Sequence, residues 1–334
     1  MISSLNESQQ EIINLKKKFL LDRKKIESSF LKNNLGQRNC NENTKLIDNL
    51  IKQIFKIITL KNYGIEDSIC TCAVGGYGRE ILAPFSDIDV LFIYDKSISE
   101  QDVEKTTQFI LFPFWDLGFK VGYAVRNIED TKLFAQKDHI IQTSMLDARF
   151  ICGSKRIYEK TIKDFNNNIS YSGVNLLKQK IKERKERVEK EILDYFKNEP
   201  NLKESAGSLR DINFIFWCVK ILKLGRLQWM KEIREYPTKK EKRKINSAFS
   251  FLLSLRCHLH YQSGRANEKF TFDDQNEISK KIYKLEKTHS DIRTEKMMKI
   301  YFKETRNIKS LAEIFSQILE ELSCKKKATI ASSK

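Results

Sequence analysis

The spacing of apolar residues along the chain changes from helical to strand-like and back to helical. Apolar side chains recur every three or four positions over residues 8–32 and 46–60, which predicts two amphipathic helices joined by a polar linker at 33–43. Short β-branched runs predict three strands, at 68–75, 88–94 and 119–126. A helix is predicted at 101–117, and the helical spacing resumes from about residue 154.

These elements predict an α+β protein in which a mixed sheet with helices is followed by an all-helical domain. We expect an N-terminal helix and linker at 1–40, a sheet-containing catalytic domain at 41–153 and a helical domain at 154–324. The remaining residues, 325–334, form a basic tail rich in Lys and Ser that we expect to be disordered. The length of 334 residues is enough for about two domains.

Candidate chemistry lies where the first predicted strand ends and the second begins. Gly75 and Gly76 allow a sharp turn that brings backbone N–H groups close to a phosphate, and Arg79 adds a guanidinium group. Asp87 and Asp89 are two positions apart in a strand, so their carboxylates share a face and repel each other without a cation. Because Mg2+ prefers carboxylate, phosphate and water oxygens, the pattern predicts a site for a metal-bound nucleoside triphosphate.

Each half of this pattern is common by itself, because paired glycines occur in ordinary turns and D-x-D occurs at solvated strand edges. Together they resemble the polymerase-beta-like nucleotidyltransferases, in which a Gly-Gly turn precedes an Asp-x-Asp strand by about a dozen residues. The fuller string, G-G-Y-G-R followed by P-F-S-D-I-D, is similar to the bifunctional uridylyltransferase and uridylyl-removing enzyme that modifies the signalling protein PII.

Later segments extend this resemblance over about residues 45–280, in the order that the family shows. Residues 115–126, W-D-L-G-F-K-V-G-Y-A-V-R, are similar to its W-D-x-G-x-x-V-G-H-S-V-R strand, and residues 146–153, L-D-A-R-F-I-C-G, to its L-E-A-R-x-x-x-G segment. Residues 200–211, P-N-L-K-E-S-A-G-S-L-R-D, are similar to P-N-L-K-E-G-P-G-G-L-R-D. Residues 255–275 follow its L-R-x-x-L-H-x-x-x-G-R and F-D-x-Q spacing.

The resemblance implies transfer of UMP from UTP to a tyrosine of a PII protein, with release of pyrophosphate and with Mg2+ or Mn2+ held by Asp87 and Asp89. Asp147, at the glutamate position of the L-E-A-R segment, is the first candidate for a third catalytic carboxylate, and Asp116 is the second candidate. The alternative for Asp147 is a salt bridge to Arg149 or a helix cap.

Cations and a hydroxyl donor suit a phosphoryl transition state, and they give candidate contacts to the triphosphate besides Gly75 and Gly76. These candidates are Arg79, Ser86, Lys203 and Arg210. For Lys203 and Arg210, and for the neighbouring Asp211, a salt bridge at the start of a helix is the alternative.

The chain also departs from the family pattern. Glu80 stands where the family has a glycine, Ile81 replaces a glutamate, and Ser205, Ala206 and Ser208 replace residues of the glycine-rich P-N-L-K loop. The family continues into a metal-dependent phosphohydrolase domain and small-molecule-sensing domains, whereas this chain ends at residue 334, so we expect the transferase part alone.

We expect no uridylyl-removing activity and no glutamine sensing. None of the four histidines is followed by Asp, as the phosphohydrolase ligands require. His258 and His260 face different sides of a predicted helix, so we interpret them as surface or packing residues.

Two other functions remain open at this stage. One is a nucleotidyltransferase that acts on a different acceptor, because the fold serves protein, small-molecule and RNA acceptors. The other is a catalytically silent, nucleotide-binding regulatory module. The retained glycines and aspartates argue against the silent module, while Glu80 in the cradle keeps it open.

A net charge of +17 invites a nucleic-acid interpretation. However, bases and acids alternate at helical spacing in residues 178–190, and the basic runs lack aromatic residues for base stacking. The charge pattern therefore argues against nucleic-acid binding as the main role, and UTP and an acidic protein partner account for the same charge.

Seven scattered cysteines indicate reduced structural thiols. No signal peptide and no apolar stretch of membrane-spanning length is visible, so we expect a cytoplasmic protein without a membrane partner.

Overall fold

The computed structural model describes residues 2–60, 65–192, 198–226, 233, 236–283 and 290–331, without the side chains at 2–8, 192, 290 and 322–331. The chain divides into two units. The first comprises Met1–Asn33 and Arg38–Phe165, and the second comprises Asn34–Gln37 and Asn166–Lys334. The first unit thus ends after the boundary at 153–154 that the sequence predicts. Of the predicted tail at 325–334, the structure describes the backbone of residues 325–331, which belongs to the last helix.

The sheet of the first unit has four strands, β1 (Ile69–Ala73), β2 (Ile88–Tyr94), β3 (Val121–Asn127) and β4 (Arg149–Gly153). The strand order is β3-β2-β1-β4. β1 is antiparallel to β2 and β4, whereas β3 is parallel to β2, so the sheet is mixed. The register places Ala73 opposite Val90 and Asp89 opposite Gly122.

Helices surround this sheet and make up the second unit. The first unit contains α1 (Ile2–Asn33), α2 (Gly36–Thr59, apart from its first two residues), α3 (Ile65–Ser68), α4 (Gly75–Gly78), α5 (Glu100–Asp116), α6 (Ile128–Lys137) and α7 (His139–Leu146). α8 (Lys155–Ile192) begins in the first unit, and α9 (Leu209–Leu224), α10 (Lys239–Ser263), α11 (Phe272–Ile282) and α12 (Ser290–Ala331) follow. The α+β prediction is confirmed.

The hydrophobic core of the first unit lies under β1 and β2. Ile88, Val90 and Phe92 are at most 2% exposed and face this core, as the alternation along β2 predicts. The apolar faces of α2 and α5 cover them, with Ile54 and Ile110 fully buried. This packing fixes β2, and with it the direction in which the alternate residue Asp89 points.

The predicted linker at 33–43 is wrong over most of its length, because α2 begins at Gly36. Asn34 takes up a left-handed conformation, φ 58°, which turns the chain within two residues. The Gly36 N–H donates to Ser254 Oγ at 3.0 Å, and a Cβ at Gly36 would lie 2.2 Å from the Ser254 nitrogen. A glycine is therefore required where the polar sequence indicates a loop.

In the second unit, the charged stretch of α8 pairs with itself as expected, through Lys180–Glu183 at 2.9 Å and Lys182–Glu186 at 3.8 Å. His258 and His260 of α10 are buried, which agrees with a packing role.

None of the described helices is long and apolar enough to cross a membrane. The six cysteines that are described hold free thiols.

Candidate functional site

The Asp89 carboxylate lies between two glycines, one in the turn after β1 and one in β3. A Cβ built on Gly75 would lie 3.0 Å from Asp89 Oδ2, and one built on Gly122 would lie 2.6 Å from Asp89 Oδ1. Any side chain at Gly122 would therefore push the carboxylate aside. Asp89 is partly buried, while Asp87 is exposed just before β2 begins. The predicted pair thus combines one held carboxylate with one that faces solvent.

The turn that follows β1 is a short helix, Gly75–Gly78, tied to β2 by the Val74 N–H, which donates to the Asp89 carbonyl oxygen at 3.0 Å. Its C-terminal N–H groups, from Gly78 to Ile81, donate to preceding carbonyls at 2.9–3.1 Å. Those of Gly75, Gly76 and Tyr77 have no acceptor among the described residues. Three consecutive N–H groups without an acceptor fit an anion that approaches the turn.

The surroundings of the two glycines differ. Gly75 has φ +58°, a left-handed conformation that favours glycine. At Gly76, an added Cβ would meet nothing within 4 Å, so the space above this residue is open. The turn therefore has room for a ligand on the side of Gly76.

Ser86 lies in the loop that leads into β2. Its N–H donates to the Ala83 carbonyl at 3.0 Å. Its hydroxyl oxygen is buried without a hydrogen-bond partner among the described residues. A buried hydroxyl of this kind is usually satisfied by water or a ligand, which suits the contact to phosphate that the sequence predicts.

Arg79 and Asp147, both predicted to serve the reaction, form an ion pair with each other in which Arg79 Nη1 donates to Asp147 Oδ2. Their side chains are 12% and 1% exposed. Asp147 lies at the C-cap position of α7, where its backbone N–H donates to the Met145 and Ser144 carbonyls, and its side chain pairs with Arg79 rather than Arg149. Asp116, the second candidate carboxylate, pairs with Lys16 at 3.0 Å at the surface.

Behind the turn lies a second polar network that the sequence analysis missed. Tyr77 is fully buried and its hydroxyl donates to Asp48 Oδ1 at 2.6 Å. Arg149 donates to both Asp48 oxygens, at 2.7 and 3.0 Å, and to the Tyr77 carbonyl at 3.4 Å. Burial, together with the Asp48 charge, raises the pKa of Tyr77 well above its usual value, so the phenol stays protonated.

Glu80 ends the turn in a left-handed conformation, φ +61°. This explains why a glycine suits this position in the family pattern. The Glu80 carboxylate lies 3.7 Å from Arg149 Nε and its side chain is 47% exposed. It is therefore drawn toward Arg149.

The two aspartates fit a divalent cation that takes its other ligands from a triphosphate and water. Among the described residues, no group of three or more His, Cys, Asp and Glu side chains is arranged to hold a metal. Asp147 and Asp116 are thus not gathered around Asp87 and Asp89 as a third ligand. Two carboxylates beside phosphates are nevertheless a common way to bind Mg2+.

The remaining predicted residues belong to the second unit, where Lys203 lies in the loop that precedes α9 and Arg210 lies in the first turn of α9. Arg210 pairs with Glu204 at 2.6 Å, so the salt-bridge alternative is present. The Lys203 backbone is hydrogen-bonded, but its ammonium group has no hydrogen-bond or ion-pair partner among the described residues. Their contact with a nucleotide stays a prediction.

The same loop is braced from within by residues of the P-N-L-K segment. Asn201 Oδ1 accepts from the N–H groups of Lys203 and Glu204 at 2.9 and 2.8 Å. Asp211 is fully buried, pairs with Arg184 and Arg187, and accepts from the Gly207 N–H at 2.8 Å. Much of this motif therefore stabilises its own loop.

Comparison with known proteins gives consistent results. Residues 175–316 match the family model for GlnD PII-uridylyltransferase. The chain is 34% identical over 255 residues to a bifunctional uridylyltransferase/uridylyl-removing enzyme of Phenylobacterium zucineum, covering 76% of this chain and 27% of the relative. It is 32% identical over 289 residues to that of Erythrobacter litoralis, covering 85% of this chain and 31% of the relative. The chain thus spans less than a third of the length of these relatives.

Proposed function

Because the chain belongs to the PII-uridylyltransferase family, we propose that it is a nucleotidyltransferase that transfers UMP from UTP to a tyrosine of a PII signalling protein and releases pyrophosphate. A cytoplasmic location and a role in nitrogen regulation are part of this proposal. The observation that carries it is the Asp89 carboxylate held between Gly75 and Gly122, beside a turn with three N–H groups that lack an acceptor among the described residues.

The residues of the site would have two kinds of role: some would bind the cation or the phosphates, and others would keep a neighbouring group in position. Asp87 and Asp89 would hold Mg2+ or Mn2+, which supplies Lewis-acid stabilisation of phosphate charge when bound. The N–H groups of Gly75 and Gly76 would donate to phosphate oxygens, and the Ser86 hydroxyl would add a further donor. Glycine at position 122 leaves Asp89 room to face the ligand.

Glu80 does not argue strongly for a catalytically silent module. Its carboxylate is drawn toward Arg149, and the turn adopts its left-handed end without a glycine there. A different acceptor remains the second function to test, because no feature of the described residues identifies the acceptor.

The test is transfer of labelled UMP from UTP onto purified PII protein of the same cell, with Mg2+ or Mn2+. We expect label on PII with the wild-type protein, and a loss of at least about 100-fold with Asp87→Ala/Asp89→Ala. Asp67→Asn, which removes an exposed carboxylate elsewhere in the first unit, serves as the matched control and should retain activity.

Two outcomes would contradict the proposal in different ways. Unchanged transfer by the double variant would remove Asp87 and Asp89 from the site. Binding of UTP without label on PII would keep the nucleotide site and reject PII as acceptor. UTP binding is therefore measured separately, by calorimetry.

A further inference from the structure

The segment Asp147–Arg149 holds the glycine turn at two points. The Asp147 carboxylate accepts a hydrogen bond from Arg79, and its backbone oxygen packs so closely on Gly78 that an added Cβ would lie 2.1 Å away. Two residues later, Arg149 donates to the Tyr77 carbonyl at 3.4 Å. One short segment, which joins α7 to β4, thus contacts Tyr77 and Gly78 of the turn and Arg79 directly after it.

Asp48 of α2 links the Tyr77 hydroxyl to Arg149, which in turn contacts the Tyr77 backbone. It accepts from the Tyr77 hydroxyl at 2.6 Å and from the Arg149 fork at 2.7 and 3.0 Å. Because Arg149 also donates to the Tyr77 carbonyl, both the side chain and the backbone of Tyr77 are held by one network. Charge-assisted and forked hydrogen bonds are the stronger and more directional kind, so the network restricts where the turn can lie.

The other side of the turn contacts Asp89. A Cβ built on Gly75 would lie only 3.0 Å from Asp89 Oδ2, so there is little free space between the turn and this carboxylate. A shift of the turn would therefore change the surroundings of the carboxylate, and misplacement by about 1 Å can cost as much as about 100-fold in rate.

We propose that Asp48, Tyr77 and Arg149 are positioning residues, which hold the Gly75–Gly78 turn against Asp89. Asp147 serves the same purpose through Arg79, and it is not a third metal ligand. The proposal rests on the proposed function for the identity of the nucleotide, but the placement of the turn is a property of the protein itself.

The first measurement is hydrogen exchange by mass spectrometry on the protein without nucleotide, followed in peptides that cover residues 74–81. Tyr77→Phe removes the hydroxyl alone, and Arg149→Lys keeps the charge but loses the fork. We expect exchange of the hydrogen-bonded N–H groups at Val74 and residues 78–81 to rise about 10-fold in each variant, with peptides of α5 unchanged. Thr107→Val, which removes a buried hydroxyl bonded to the Val103 carbonyl at 3.0 Å, is the matched control and should leave the turn unchanged.

The second measurement is the kinetic effect of the same variants. We expect KM for UTP to rise about 3- to 30-fold in Tyr77→Phe, with kcat falling less, because the turn contacts the nucleotide and not the acceptor. A general loss of stability would instead lower the active fraction and leave KM unchanged.

Turn exchange that stays at the wild-type rate, or that rises equally in the α5 peptides, would overturn the proposal. If the wild-type protein proves inactive toward UTP and PII, the exchange experiment still decides the positioning role. Failure of the proposed function is thus distinguishable from failure of this inference.

Discussion

Arg79 and Asp147 form an ion pair whose carboxylate side chain is 1% exposed. The sequence motifs predicted a role in the reaction for both residues, but in the structure their side chains bind each other. A buried ion pair costs much more when one member is removed than when both are, because the remaining charge is left without compensation. This relationship gives the first prediction.

Arg79→Met and Asp147→Asn should each lower the free energy of unfolding by about 3 kcal/mol, and the double variant should cost at least about 1 kcal/mol less than their sum. Urea denaturation measures all three. The exposed pair Lys16–Asp116 is the control, since Lys16→Met and Asp116→Asn should be additive within about 0.5 kcal/mol. Additivity at the buried pair would show that the two side chains do not interact.

Two of the three glycines in the turn, Gly76 and Gly78, should respond differently to the same change. Gly78→Ala places a Cβ 2.1 Å from the Asp147 oxygen and should destabilise the protein by about 2 kcal/mol or more. Gly76→Ala meets nothing within 4 Å and should leave the melting temperature nearly unchanged while raising KM for UTP. Thermal unfolding and steady-state kinetics separate these effects. An unchanged KM in Gly76→Ala would place the nucleotide elsewhere.

Position 80 should favour glycine over other small residues. Glu80 has φ +61°, a conformation that costs a side-chain-bearing residue about 1 kcal/mol relative to glycine. Its contact with Arg149 is partly exposed and contributes little. Glu80→Gly should therefore be more stable than Glu80→Ala by up to about 1 kcal/mol in chemical denaturation. Equal stabilities would indicate that the turn relaxes around alanine.

Acid should destabilise the second unit through Glu268. Burial raises the pKa of this carboxyl, but the nearby His260 ring, 3.6 Å away, and the hydrogen-bonded Arg256 guanidinium outweigh burial and lower the pKa to about 2. Since its ordinary value is 4.5, Glu268 adds stability that is complete above pH 4.5 and is lost as the pH falls toward 2.

The measurement is the free energy of unfolding between pH 5 and pH 2.5, compared with Glu268→Gln. The variant should lose about 2–3 kcal/mol at pH 5 and much less at pH 2.5. Glu321→Gln, at an exposed position of α12, should follow the wild-type curve. A loss that does not change with pH would mean that packing, and not charge, makes Glu268 important.

The sequence predicted those parts of the fold that are set locally. The bounds of β2 were predicted correctly, because its apolar residues alternate and its aspartates mark where it begins. β4 was missed, because it is five residues long and its pairing with β1 includes a register shift between Thr71 and Cys72. Such a strand depends on its neighbour and not on its own pattern.

The candidate site shows the same limit. Asp87, Asp89 and the glycines were visible because they lie within one short motif. Asp48 was not visible, since it lies 29 residues before Tyr77 and 101 residues before Arg149, on an ordinary amphipathic helix. Only packing brings these three together.

The strand that carries Asp89 is hydrogen-bonded along both of its edges, to β1 and to β3. Such a strand cannot slide or tilt without breaking two ladders at once. The position of Asp89 is thereby held by the sheet itself. Substitutions in the surrounding loops and helices should therefore reshape the site with less disturbance of Asp89 than substitutions within the sheet.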